Sequence, residues 1–67
     1  MEMFKERLKE LITDKNLTFE ELAKVTGLSK SALNYWENGV RIPSAQAVII
    51  LAKYFNVTTD YLLGLED

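Results

Sequence analysis

The chain has 67 residues, 48% of them apolar and 27% charged, with a net charge of -2 and neither cysteine nor histidine. That length holds one small globular domain, expected over residues 1–67, and the composition argues against disorder. Disulfides, a thiol nucleophile, a conventional zinc site and histidine-based triads are excluded, so no metal or cofactor is expected, and with no membrane-length apolar run or signal-peptide core the expected location is cytoplasmic.

Phe4, Leu8, Leu11 and Ile12 recur with helical period and predict a first helix from about Met3 to Asp14. Asn16 suits a left-handed turn. Thr18-x-x-Glu21 is a capping box, and Leu17 and Leu22 are placed around it as a hydrophobic staple. This second helix is expected to end near Thr26, because Gly27 accepts the positive φ of a C-terminal cap. Leu28 follows as an apolar plug, and Ser29 caps a third helix that turns Leu33 and Trp36 inward and stops at Asn38-Gly39. Pro43 breaks the chain and pushes Ile42 to an extended conformation. Ser44 then caps helix four, which runs to about Phe55 with Val48, Leu51, Ala52 and Phe55 on one side. Asn56 closes it, Thr58 caps a short fifth helix with Asp60 near its positive end, and Gly64 stops it. No segment alternates with period two, so the expected fold is all-α, a compact five-helix domain without repeats or linkers.

Residues 19–38 carry the functional signal. Two helices joined by a short turn at Gly27 must cross steeply, and Ala23 supplies the small side chain that such a crossing needs. Leu22, Val25, Leu28, Leu33 and Trp36 are expected to fill the wedge between them, which is helix-turn-helix geometry. With Leu33 and Trp36 inward, Lys30, Ser31, Asn34, Tyr35 and Asn38 face away from the core. A solvated face usually mixes Lys and Glu; this one is uncharged apart from Lys30, and every residue on it can hydrogen-bond, as reading base edges requires. Lys30, Arg41 and Lys53 against Glu37 give residues 29–53 a net charge of +2, whereas residues 1–28 carry -1 and residues 54–67 carry -3. Glu20 and Glu21 lie in the first turn of a helix, where the dipole accounts for them, and as adjacent helical residues they diverge too far to share a substrate. No enzyme is expected.

Taken in order, Leu17-Thr18, Glu21-Leu22-Ala23, Gly27-Leu28-Ser29, Trp36-Glu37-Asn38-Gly39, Arg41-Ile42-Pro43-Ser44 and the closing Asp60-Tyr61-Leu62-Leu63-Gly64 resemble the lambda-repressor/Cro-like helix-turn-helix family, also called the xenobiotic-response-element (XRE) group. The resemblance runs from Phe4 to Gly64. It implies a lambda-repressor-like DNA-binding domain with the helix-turn-helix at helices two and three, and helix three as the reading helix. Position by position it implies Lys30, Ser31, Asn34 and Tyr35 as base-reading, and Phe19, Asn38 and Arg41 as phosphate-contacting; Ser29 and Ser44, at helix starts, are expected to join the phosphate contacts. Two positions depart from the family pattern. Position 19 is commonly Gln and is Phe19 here, and position 12 is often an Arg paired with the acid matching Glu37 and is Ile12 here. Both changes point to an apolar patch of Ile12, Phe19 and Trp36.

The expected function is that of a sequence-specific regulator of transcription, a repressor that occupies a palindromic double-stranded operator as a homodimer. The alternative is a protein-interaction module or antitoxin of the same fold with weak DNA binding, which Phe19 and the acidic pI of about 5.0 favour. The run Val48-Ile49-Ile50-Leu51 is more apolar than one buried stripe requires. Ile50 and Tyr54, extended by Tyr61 and Leu65, are therefore expected toward solvent as a two-fold interface, with scattered surface hydrophobes as the bland reading and the loop from Val40 to Pro43 as the next site.

Overall fold

Helices α1 (Glu2–Asp14), α2 (Phe19–Thr26), α3 (Lys30–Glu37), α4 (Ala45–Phe55) and α5 (Thr59–Leu63) follow one another in the computed structural model, which describes residues 2–66 and has no strand among them. The helix ends form where local chemistry dictates. Thr18 accepts from the Glu21 amide at 3.1 Å while its own amide donates to Glu21 Oε1 at 2.8 Å, completing the capping box. Ser29, Ser44 and Thr58 each accept from the amide three residues on, at Ala32, Ala47 and Tyr61. Asn16 and Asn56 take left-handed φ values of 56° and 58°, which Asn tolerates better than most residues. α1 and α4 are closed off there.

Phe4, Leu8 and Ile12 of α1, Leu22 of α2, Leu33 and Trp36 of α3, five residues of α4 from Ala47 to Phe55, and Leu62 of α5 make the core, with no buried polar side chain among the described residues. α2 packs on α3 and α4, α1 lies across α3 and α5, and α4 supports α5. Leu17, Phe19, Ala23 and Leu28 pack against this core from the α2–α3 side. Ile12 and Phe19, the two departures from the family pattern, thus join it along with Trp36. The wedge between α2 and α3 differs from expectation at Val25, which is 58% exposed. At 100° per residue Val25 lies about 110° from the middle of the arc set by Phe19, Leu22, Ala23 and Thr26. Thr26 occupies the inner position instead, its hydroxyl donating to the Leu22 carbonyl at 2.6 Å.

Arg7 joins the two ends of the chain. Its guanidinium stacks 4.2 Å over the Tyr61 ring and donates to the carbonyls of Tyr61, in α5, and Glu66, just beyond it. Nearby, Gly64 takes a φ of +81°, and a Cβ built there would lie 2.5 Å from Met3 Cβ. Gly27, at φ +77°, has open space around it. Gly64→Ala should therefore cost about 2 kcal/mol, combining left-handed strain with overpacking, and Gly27→Ala about 1 kcal/mol from strain alone. Urea melts of the two variants check the order, and equal midpoints would mean that α1 yields at Met3 without cost.

Candidate nucleic-acid interface

α3 is eight residues long, and the diameter of a helix with its side chains, about 10–12 Å, fits the roughly 12 Å width of the B-DNA major groove. Leu33 and Trp36 root it in the core, and Lys30, Ser31, Asn34, Tyr35 and Asn38 are all exposed on the opposite side, as expected. The exposed groups are held by specific contacts. Asn38 Nδ2 donates at 3.0 Å to the Asn34 carbonyl and at 3.0 Å to Asn34 Oδ1. Because the Asn34 carbonyl can only accept, the Asn38 atom facing it must be the NH₂ group. The Asn34 atom it also meets is then the oxygen, which leaves the Asn34 NH₂ for groups outside the protein. At the far end of α3, the Arg41 guanidinium stacks 4.7 Å from the centroid of the exposed Tyr35 ring. At its start, Lys30 Nζ lies 3.4 Å from Glu20 Oε1 of α2.

Three helix starts, of α2, α3 and α4, add neutral donors. Each cap hydroxyl satisfies only the amide three residues on, so the first two helical amides (Phe19 and Glu20, Lys30 and Ser31, Ala45 and Gln46) remain directed at outside acceptors. The exposed Ser29 and Ser44 organise two of these helix starts. Phe19 is half-buried against the core, so its ring is withdrawn from solvent and its backbone amide is the only group it can offer a phosphate.

The expected patch on α4 is broken up. Ile50 is half-buried, and Tyr54 packs on the core, edge-on to Phe55 at 5.1 Å, with Lys15 over its ring. Tyr61 lies beneath Arg7, and of the four residues only Leu65, 72% exposed, stands free of the fold. The neighbouring Ile49 is 45% exposed instead, at the rim of an open groove of about 320 Å³ lined by Pro43, Ala45, Val48, Ile49, Thr59 and Leu63. The Glu20–Lys30 pair and the Tyr35–Arg41 stack escaped sequence reasoning. Both join residues at least six apart across a turn, where periodicity carries no signal.

A helix-turn-helix family model matches residues 8–62, spanning α2, the turn and α3. The chain belongs to the helix-turn-helix family. Among helix-turn-helix proteins it is 41% identical over 64 residues to the HTH-type transcriptional activator BcrR of Enterococcus faecalis, covering 96% of this chain and 31% of that protein. It is 41% identical over 61 residues to the HTH-type transcriptional regulator AnsR of Bacillus subtilis (strain 168), covering 91% of this chain and 53% of that one. The solution structure of the SOS-response transcriptional repressor LexA from Eubacterium rectale superposes with a TM-score of 0.85 at 37% identity, covering 97% of this chain and 67% of that chain. The chain thus spans about a third to a half of these two regulators' length. The XRE-type helix-turn-helix and the all-helical fold both stand.

Proposed function

We propose that the chain binds double-stranded DNA sequence-specifically, as a homodimer on a palindromic operator, and represses transcription by occupying it. The observation that carries the reading is the exposed face of α3, where hydrogen-bonding side chains stand over a fully apolar root. Ser31 and Asn34 read base edges from the middle of the helix, with Lys30 at its start and Tyr35 at its end. Arg41, Asn38 and the helix-start amides grip phosphates and set the register. The similar proteins include one activator and one repressor by name, so repression rests on the simplest mechanism for a chain with one DNA-binding face. For the dimer, the exposure of Val40 and of Ile42, at 70%, favours the α3–α4 loop over the partly engaged α4 residues.

A second reading, a protein-interaction module, is favoured by the apolar groove between α4 and α5 and by the acidic pI of about 5.0. Selection of bound duplexes from a random pool at two salt concentrations separates the two. The DNA reading expects a motif with two-fold symmetry, its half-sites about one helical turn, roughly 34 Å, apart. A pool that enriches nothing at either salt concentration would overturn it and favour the interaction module.

A further inference from the structure

Glu20 stands where a DNA-binding surface ordinarily avoids an acid. Phe19 turns into the core, so the next residue, in the first turn of α2, leads outward. Its carboxylate meets Lys30, the first residue of α3, at 3.4 Å, with the two side chains 78% and 59% exposed. An ion pair this open contributes little to folding. It does decide what the Lys30 ammonium can do. An ammonium has three donors, and with one held by Glu20 two remain, the number that the O6 and N7 acceptors of guanine receive. A backbone phosphate, by contrast, competes with the carboxylate for the same charge and is repelled by it.

We propose that Glu20 is a positioning residue for sequence discrimination, acting through Lys30: it withholds the ammonium from phosphates and presents it to a purine edge. The inference rests on the DNA-binding reading above. With Glu20 in place, Lys30 adds little to sequence-independent binding, and its full contribution appears only where a guanine lies opposite. Net charge near the groove is thereby exchanged for selectivity, which gives an acidic protein a way to stay off random DNA.

The test uses the parent, Glu20→Gln, Lys30→Gln and the double variant. Each is titrated by fluorescence anisotropy with the duplex selected by the parent and with a scrambled duplex, across a range of salt. Glu20→Gln should bind the scrambled duplex about five-fold more tightly at low salt, the equivalent of about 1 kcal/mol. It should steepen the log–log salt slope there by about 0.9 per subunit, as Lys30 turns to a phosphate. The ratio of selected to scrambled affinity should fall accordingly, and with Lys30→Gln already present Glu20→Gln should change neither quantity. An equal gain in the Lys30→Gln background would show simple repulsion and overturn the proposal. So would an unchanged ratio and slope with only the melting temperature moved, the signature of a helix-start role. A parent that enriches no motif and discriminates between no duplexes removes the DNA-binding reading itself, whereas a discriminating parent matched by Glu20→Gln removes only Glu20's part.

Discussion

Trp36→Ala is expected to leave the protein largely unfolded at room temperature. The indole is 8% exposed in the last turn of α3 and belongs to the same core as the buried face of α1, which packs on that helix. Truncating a buried Trp costs about 3–5 kcal/mol. A chain of this length has a total stability of about 3–10 kcal/mol at typical values per residue, so the loss is comparable to the whole. The opposite face of α3 is the presented one, and binding would disappear with the fold. Far-UV circular dichroism measures the effect, since this is the chain's one tryptophan and its fluorescence leaves with it. Trp36→Phe keeps most of the apolar volume and should retain a cooperative melt. A melting temperature of Trp36→Ala within a couple of degrees of the parent would show that the indole is not structural.

The second large effect is a division of labour along α3. Asn34→Ala should change which base is preferred at one position of each half-site, with a cost of roughly 1–3 kcal/mol per half-site for the parent motif. Since Asn38 already donates to the Asn34 oxygen, the Asn34 NH₂ is the group left wholly free for a base. The preference that vanishes should therefore be for an acceptor-bearing edge, guanine O6 or N7, adenine N7 or thymine O4, rather than for the cytosine amino group. Ser31→Ala should act likewise at a neighbouring position. Arg41→Ala should instead weaken all sequences together and flatten the log–log salt slope by about 0.9 per subunit. Tyr35→Ala should reproduce part of the Arg41→Ala effect, because the ring is the surface on which that guanidinium rests. Repeating the duplex selection with each variant decides the matter. A changed motif for Arg41→Ala with an unchanged one for Asn34→Ala would invert the assignment.

Most of the fold was legible because its punctuation is local. Thr18, Ser29, Ser44 and Thr58 start helices with hydroxyls that reach only three residues ahead, and Gly27 and Gly64 end them through their own φ, so each signal is complete within one turn of chain. The exposed face of α3 was legible for a similar reason, since Leu33 and Trp36 fix the phase of an eight-residue helix. Val25 misled because α2 is equally short and an apolar residue at its edge looks like a member of its stripe. On α4, Ile49 and Ile50 lie at similar angles on either side of the buried arc, and only the placement of α5 makes Ile49 the rim of a groove. Tyr54 and Tyr61 depend on cations from α1 and its following turn, Lys15 and Arg7, that no spacing rule connects to them.

The capped helix starts have a consequence for how this surface can evolve. A backbone amide has no side chain to delete, so alanine scanning would register the proposed docking frame at α2, α3 and α4 only through the cap hydroxyls of Thr18, Ser29 and Ser44, and a map of sensitive positions would understate the contact area. The same property separates grip from vocabulary. Ser31, Asn34 and the residue at 30 can be exchanged while the amides at residues 19, 31 and 45 stay where the caps hold them. On the proposed reading, drift at a few exposed positions rewrites the operator without first loosening the protein from DNA, so paralogues carrying the same caps would diverge in target more readily than in posture.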